Sequence, residues 1–186
     1  MFTDIVGYTS IMQKDENLAL DVVERSRTVL QKYTQNHHGE ILQFYGDGNL
    51  TIFSSAIEAV ECAVEIQKEF VLAQIPVRIG IHLGDVKIKG EAIFGDGVNL
   101  ASRIHSLGTA GSIIITDSIY TLIKNQSAVK TIALGSFDLK NVAQPTIVYA
   151  LDESFLSVPK TKELPGRKKT IAKKYQWLSI LVVATG

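Results

Sequence analysis

Apolar residues recur at helical spacing in two segments of the first half of the chain. The first segment runs from 15 to 36, and Gly39 follows it as a stop signal. Its apolar positions are Leu18, Val22, Val23, Val29, Leu30 and Tyr33. The second segment begins at Ser55 and ends near Val71, because Ser55 followed by Glu58 is a capping-box sequence. Both segments are predicted to be helices with one buried face.

Shorter β-prone segments predict four strands around these two helices. The chain begins in an apolar segment that contains Phe2 and Ile5. Segments 40–45 and 49–54 flank Gly46-Asp47-Gly48, a sequence typical of a tight hairpin turn. Apolar residues alternate from 77 to 86, which predicts the fourth strand. The resulting order, βαββαβ, is the ferredoxin-like arrangement, in which two helices pack on one face of a sheet.

The remaining sequence predicts further elements after this core. A loop that contains Gly90, Gly95 and Gly97 comes first. It is followed by a predicted helix at 98–105, a strand at 113–116, a helix at 117–124, and strands at 129–133, 136–140 and 147–151. The predicted fold class is therefore α+β, with a ferredoxin-like βαββαβ core and additional C-terminal helices and strands.

The patterns at both ends of the chain are typical of secondary-structure elements that are cut short. The first strand is expected to be truncated, within a domain at 1–152. Residues 153–174 contain Pro159, Pro165 and several lysines, which predicts a basic linker. Residues 177–186 are apolar all round, but a bilayer span takes roughly 20 residues. We expect 175–186 to be the start of a transmembrane helix that anchors a cytoplasmic domain, since basic residues precede it. The alternative is a basic tail that ends in a minor core helix.

The composition of the chain mainly excludes some classes of protein and some kinds of site. The 186 residues are 46% hydrophobic and 20% charged, which suits one globular domain with a real core. The formal net charge is zero, so no overall charge favours nucleic-acid binding. The single cysteine, Cys62, lies in a helical apolar pattern and has no partner for an internal disulfide, as expected in the cytoplasm. No His/Cys cluster has the spacing of a zinc site.

Two aspartates are candidate metal ligands. Asp4 ends the first strand and Asp47 lies at the tip of the hairpin. The first and third strands of a βαββαβ sheet are neighbours, so the two carboxylates are expected to meet. Carboxylate oxygens suit Mg²⁺ or Mn²⁺. The alternative is that Asp47 is only a turn residue, because Asp-Gly is common in hairpins.

Other side chains and amides suggest anion binding. Gly7 would let the backbone amides of Ile5, Val6, Gly7, Tyr8 and Thr9 approach an anion. Asn99 and Arg103 are four residues apart and project from one face of a helix, where a guanidinium can stabilise phosphate charge. The alternative for Arg103 is a solvated surface residue. His82 is expected to be a structural residue of its strand.

Four motifs in matching order resemble the catalytic domain of class III adenylate and guanylate cyclases. They are Phe2-Thr-Asp-Ile-Val-Gly-Tyr-Thr9, Tyr45-Gly-Asp-Gly48, Phe94-Gly-Asp-Gly-Val-Asn-Leu-Ala-Ser-Arg103 and Leu139-Lys140-Asn-Val142. The resemblance covers about residues 1–151 and implies the class III nucleotide cyclase fold.

The resemblance also implies roles for individual residues. Asp4 and Asp47 correspond to the aspartates that hold two divalent metal ions, Mg²⁺ or Mn²⁺. Asn99 corresponds to the ribose-orienting residue, Arg103 to the transition-state phosphate contact and Lys140 to the lysine that contacts the terminal phosphates. In the family these two groups come from different subunits of a head-to-tail dimer, so a homodimer with active sites at its interface is implied.

The two positions that contact the base depart from the family pattern. They are Gln43, where adenylate cyclases usually have lysine and guanylate cyclases an acidic residue, and Ala92, where adenylate cyclases usually have aspartate or threonine. The amide of Gln43 can both donate and accept hydrogen bonds, so it fits adenine or guanine. Alanine offers no such contact.

We therefore expect a cyclase that makes a 3′,5′-cyclic nucleotide and pyrophosphate for intracellular signalling, with ATP as the first substrate to consider. The alternatives are a guanylate or pyrimidine cyclase, or a catalytically silent module that binds nucleotide and regulates a partner. A diguanylate cyclase is disfavoured, because Tyr45-Gly-Asp-Gly48 is a poor substitute for the hairpin of that family.

Overall fold

The computed structural model describes residues 1–90, 92–126, 129–142, 144–161 and 164–167, apart from the side chain of Ala92. These residues form nine strands and five α-helices, and a short 3₁₀ helix at His105–Leu107 directly follows the fourth α-helix. In chain order the elements are β1 (Phe2–Ile5), α1 (Tyr8–Lys14), α2 (Glu16–Asn36), β2 (Glu40–Tyr45), β3 (Gly48–Ile52), α3 (Ala56–Leu72), β4 (Val77–Ile81), β5 (Lys87–Lys89), β6 (Ala92–Phe94), α4 (Asp96–Ile104), β7 (Ile113–Thr116), α5 (Asp117–Ile123), β8 (Thr131–Phe137) and β9 (Thr146–Leu151).

Seven strands form one sheet in the order β2-β3-β1-β4-β7-β9-β8. The predicted α+β class and the βαββαβ core are confirmed, and β1 lies between β3 and β4 as expected. Thr3 pairs with Asn49 on one side of β1, and Asp4 pairs with Arg78 on the other. Only the pairing of β4 with β7 is parallel among the described strands. Because β1 is central, the residues at its end lie next to both the β2–β3 turn and the start of β4.

Helices cover both faces of the sheet. On one face, α2, α3 and α5 pack over a core that includes Leu30, Ile66 and Phe70, each at most 3% exposed. On the other face, Ile104 and the 3₁₀ helix pack with β7, β8 and β9. Successive strand residues point to opposite faces, so Ile113 and Ile115 belong to the first core and Ile114 to the second.

Local side-chain contacts explain where the two long helices begin. The Asp15 carboxylate accepts a hydrogen bond from the Leu18 backbone N–H at 3.0 Å, so α2 has a charged cap. Ser55 accepts one from the Glu58 N–H at 3.4 Å, as the capping-box sequence predicted. Cys62 is fully buried on α3, and burial raises the pKa of its thiol to about 12.

Several predicted boundaries were wrong. The strand predicted for 77–86 ends at Ile81, because Leu83 is 54% exposed and Gly84 packs against Gly97. The predicted glycine loop contains the separate hairpin β5–β6. Two predicted strands, 129–133 and 136–140, are a single strand β8 that continues through a bulge before Gly135. The helix α1 was not predicted.

The predicted C-terminal features are only partly within the described residues. Leu156, Val158 and Leu164, from the predicted linker, pack against the two cores of the domain. Residues 175–186 lie outside the described part of the chain, so the transmembrane anchor and the cytoplasmic location stay predictions. None of the helices that the structure describes is both long and apolar enough to span a bilayer.

The core packing of α3 can be tested with two neighbouring positions on the same helix. Phe70 is 0% exposed and Leu72 is 73% exposed. We expect Phe70→Ala to lower the free energy of unfolding by about 3–5 kcal/mol, because it leaves a cavity. Leu72→Ala should cost less than about 1 kcal/mol, since little apolar area is lost. Urea denaturation of both variants measures the difference, and equal losses would contradict this packing.

Candidate functional site

Asp4 and Asp47 lie close together at one end of the sheet. Asp4 is in β1, next to the end of that strand, and Asp47 is in the turn between β2 and β3. Each carboxylate changes the pKa of the other, and the backbone N–H of Ile5 acts on the Asp47 carboxylate. The structure thus brings together the two side chains that the sequence predicted to meet.

Arg78 holds the Asp4 carboxylate from the neighbouring strand. Its Nε and Nη2 atoms donate hydrogen bonds to Asp4 Oδ2 at 2.9 and 2.7 Å. The two residues pair directly across β1 and β4, so the backbone register fixes this contact. His105 lies nearby, with its Nε2 atom 3.7 Å from the same oxygen. Burial alone would raise the pKa of Asp4, but His105 and Arg78 lower it to about 2.

Asp47 is shifted in the opposite direction. Burial and the negative charge of Asp4 raise the pKa of Asp47 above its ordinary value. Arg78 forms its ion pair with Asp4, so the two neighbouring carboxylates together carry excess negative charge. A divalent cation would relieve this repulsion, and oxygen donors of this kind fit Mg²⁺ or Mn²⁺.

The described residues contain no group of three or more His, Cys, Asp or Glu side chains placed to hold a metal ion. Two carboxylates would leave most coordination positions to water or to phosphate oxygens. Mg²⁺ is commonly bound in this way, through one or two carboxylates plus the phosphates of a substrate. The chemistry of the donor set therefore fits a cation that arrives with a phosphate ligand.

The glycine turn after β1 offers fewer amides than the sequence predicted. The Val6 N–H donates to the Pro76 carbonyl at 2.6 Å, and the Ile5 N–H acts on Asp47, so neither is available to an anion. Gly7 has a φ of 78° and open space where a side chain would lie. Within the described residues, no backbone hydrogen bond uses the N–H groups of Gly7, Tyr8 or Thr9. The expectation for Ile5 and Val6 is corrected, and the turn keeps three amides.

Asn99 and Arg103 lie one turn apart on α4, as predicted. Ala101 and Ile104 are buried beneath them, whereas Asn99 is exposed and Arg103 half-buried. Lys140 is exposed in a turn after β8. In the part of the chain that the structure describes, no hydrogen bond or ion pair links these three side chains to Asp4 or Asp47. One copy of the chain therefore leaves the site in two separate groups of residues.

The two predicted base-contacting positions also lie apart. Gln43 is exposed on β2, opposite Leu50 and beside a register shift. Ala92 opens β6 in the small second sheet, where it pairs with Lys89. The structure does not bring these two residues together within one copy of the chain.

Arg78 and His105 both lie at the site, although the sequence patterns assigned neither residue a role there. Arg78 is a lone charge inside an otherwise apolar strand, which is a signal that could have pointed to a buried partner. His82, by contrast, is half-buried and shares a hydrogen bond with the Thr116 hydroxyl at 2.9 Å. The ring of Phe2 contacts both Tyr45 and His105, with centroids 6.0 and 4.9 Å apart.

Comparisons with known proteins identify relatives of the whole described domain. The sequence profile of the adenylate and guanylate cyclase catalytic domain matches residues 1–153. A protein of Rhizobium meliloti (strain 1021) with a provisional name as adenylate cyclase 3 is 32% identical over 155 residues. That match covers 78% of this chain but only 26% of the relative, so the chain spans about a quarter of that protein.

Solved structures share the fold. A structure described as an adenylate/guanylate cyclase/hydrolase from Silicibacter pomeroyi has a TM-score of 0.72 and 28% identity, covering 82% of this chain and 94% of that chain. The guanylate cyclase domain of RhGC from Catenaria anguillulae, solved in complex with GTP, has a TM-score of 0.69 and 23% identity. That match covers 81% of this chain and 93% of the other.

The opposite pKa shifts of the two aspartates predict opposite effects on stability in metal-free buffer. Asp4→Asn should lower the free energy of unfolding at pH 7 by about 1–3 kcal/mol, because it removes the negative charge that pairs with the Arg78 guanidinium. The folded-state pKa of Asp4 is about 2, below the ordinary value of 3.8, so this stabilisation is present above the ordinary pKa and disappears as pH falls towards 2. Asp47→Asn should instead raise stability at pH 7, since the pKa of Asp47 is raised. Urea denaturation between pH 7 and pH 2.5 measures both, and a stabilising Asp4→Asn would contradict the assignment.

Proposed function

Because the chain belongs to the family of adenylate and guanylate cyclase catalytic domains, we propose that it converts a nucleoside triphosphate, first of all ATP, into a 3′,5′-cyclic nucleotide and pyrophosphate. The observation that carries the proposal is the placement of Asp4 and Asp47 together beside the open turn at Gly7. A module that only bound nucleotide would have little need for two adjacent carboxylates that repel each other. The experiment is a product assay on the purified chain.

The reaction is an in-line displacement within one substrate molecule. The ribose 3′-oxygen attacks the α-phosphorus and forms a new P–O bond, while the bond from that phosphorus to the bridging oxygen breaks. Pyrophosphate leaves and the proton of the 3′-hydroxyl passes to solvent. Two bound divalent ions would supply neutralisation of phosphate charge and activation of the 3′-hydroxyl.

The residues of this chain have separate tasks in the proposal. Asp4 and Asp47 hold the ions, and Arg78 keeps the Asp4 carboxylate ionised and oriented. The free amides of Gly7, Tyr8 and Thr9 face a phosphate group. Arg103 stabilises the charge that develops on the transferred phosphoryl group, as a fixed guanidinium can. Asn99 orients the ribose and Lys140 contacts the terminal phosphates.

The separation of the site into two groups supports a homodimer. Asn99, Arg103 and Lys140 have no polar partner for their side chains within the described residues, so they are free to reach a second copy. Apolar side chains on and before the β5–β6 hairpin are more than half exposed, as expected for a surface that another chain covers. They are Leu83, Ile88 and Phe94. We place two equivalent sites at the interface of a head-to-tail dimer.

The identity of the nucleotide base is the most detailed part of the proposal. Gln43 is exposed and can offer both a donor and an acceptor to a purine. Selectivity between bases requires hydrogen bonds that only one base can make, and an alanine at 92 makes none through its side chain. ATP is the first substrate to test, with GTP and the pyrimidine triphosphates as the alternatives.

The product assay should give one dominant cyclic nucleotide. The wild-type chain is incubated with Mn²⁺ or Mg²⁺ and, separately, with ATP, GTP, CTP and UTP, and the products are identified by mass spectrometry. Asp47→Ala should abolish the product, because it removes one of the two carboxylates. Asp21→Ala, which removes an exposed carboxylate from the long helix α2, is the matched control and should keep wild-type activity. A folded, dimeric chain that makes no cyclic product from any of the four would refute the enzyme and leave a binding module.

The dimer predicts complementation between two inactive variants. Arg103→Ala should lower kcat by about 100- to 1,000-fold, the usual cost of a lost transition-state contact. When the Arg103→Ala and Asp47→Ala chains are mixed and refolded together, the mixture should recover about a quarter of wild-type activity. Half of a random mixture is heterodimer, and each heterodimer has one intact site of two. Mixing two differently tagged Asp47→Ala preparations is the control. If the mixture of the two variants stays inactive although heterodimers are isolated, each site is built from one subunit.

A further inference from the structure

His105 is held close to the carboxylate pair by the packing of the 3₁₀ helix on β4. A side chain at Gly80 would place its Cβ atom 2.7 Å from the Cβ and backbone N atoms of His105 and 2.8 Å from the Ala101 carbonyl oxygen. Only glycine therefore lets the end of α4 lie this close to the strand. The result is that His105 is only 8% exposed.

The imidazole ring is fixed on two sides. One side packs on the ring of Phe2, with centroids 4.9 Å apart and an interplanar angle of 37°. On the other, Nε2 lies 3.7 Å from Asp4 Oδ2, the oxygen that Arg78 also contacts. This distance is too long for a direct hydrogen bond, so the contact is electrostatic and steric. Arg78 and His105 both lie against Oδ2, and Asp47 interacts with the same carboxylate.

The second ring nitrogen of His105 has no partner. Nδ1 is buried and accepts or donates no hydrogen bond among the described residues. A buried polar atom without a partner costs about 1–3 kcal/mol, a cost that leucine at this position would avoid. Packing alone therefore does not account for a histidine here, whereas its contact with Asp4 does.

We propose that His105 is a positioning residue for divalent metal binding, which works with Arg78 to hold Asp4 Oδ2 and so fixes the orientation of the carboxylate that would bind the cation. The inference rests on the proposed function, because it assigns His105 to the site that Asp4 and Asp47 form. His105 does not touch the cation or the nucleotide. Partners of this kind orient metal ligands and commonly change metal affinity when they are replaced.

The test separates metal affinity from stability in the full 186-residue chain. Binding of Mn²⁺ is followed by electron paramagnetic resonance in the presence of 3′-deoxy-ATP, which lacks the attacking hydroxyl, so no turnover occurs. His105→Leu should weaken Mn²⁺ binding by about tenfold, the lower end of the effect of such partners. Its thermal midpoint should stay the same or rise, because the unpaired Nδ1 is removed.

Two further variants act as controls. His105→Gln keeps an N–H donor of similar reach, so its Mn²⁺ affinity should stay within about threefold of the wild type, less than the loss expected from removing the partner altogether. His82→Leu replaces another partly buried histidine, which is hydrogen-bonded to Thr116 and has no contact with Asp4, and should bind Mn²⁺ as the wild type does.

The outcomes distinguish this inference from the proposed function. Wild-type Mn²⁺ affinity in His105→Leu would overturn the positioning role and leave the cyclase intact. A parallel loss of affinity and thermal midpoint would also overturn it, because it would show a structural role only. Equal losses in the leucine and glutamine variants would assign the effect to ring packing and not to Nε2. A wild-type chain that bound no Mn²⁺ with the 3′-deoxy analogue of any of ATP, GTP, CTP and UTP would refute the metal site itself, and with it both proposals.

Discussion

The placement of β1 between β3 and β4 is the constraint on which the whole site depends. The register sets Asp4 opposite Arg78 and the end of β1 beside the turn that carries Asp47. A buried polar chain on the face covered by α2, α3 and α5 reinforces this register: the Thr3 hydroxyl donates to the Asn49 side chain, whose Nδ2 donates to the Thr51 hydroxyl at 3.0 Å. A slip by one residue would turn every side chain of β1 to the opposite face and leave these groups without partners.

The same register gives two similar carboxylates different properties. Asp4 receives a guanidinium from the adjacent strand and keeps its charge, whereas Asp47 has only the backbone N–H of Ile5 and its own turn to offset that charge. The site is therefore strained electrostatically when no cation is present. This imbalance costs stability, and the divalent cation of the proposed function would offset it.

The sequence predicted the parts of this arrangement that depend on local spacing. Helical periodicity located α2 and α3, the Asp-Gly turn located the hairpin, and the βαββαβ order was enough to place Asp4 near Asp47. These local patterns could not predict contacts that are set by strand register or by close packing. The Asp4–Arg78 pair follows from strand alignment, the contact of His105 with Asp4 follows from the absence of a side chain at Gly80, and the loss of the Val6 amide follows from its bond to Pro76. The end of β4 at Ile81 was missed for the same reason, because alternation continued into Leu83 while the backbone turned away at Gly84.

Packing also connects the helix that carries Asn99 and Arg103 with the strand that carries Asp4. Asn99 and Arg103 have no direct contact with the aspartates, yet they lie on the helix whose continuation carries His105 against Asp4 and Phe2. Gly80 lets this continuation of α4 pack directly against β4. The last residue of α4, Ile104, is buried in the second core. α4 and the Asp4 carboxylate are therefore connected through the packed side chain of His105. The helix that carries Asn99 and Arg103 and the strand that carries Asp4 are thus positioned by the same few core contacts.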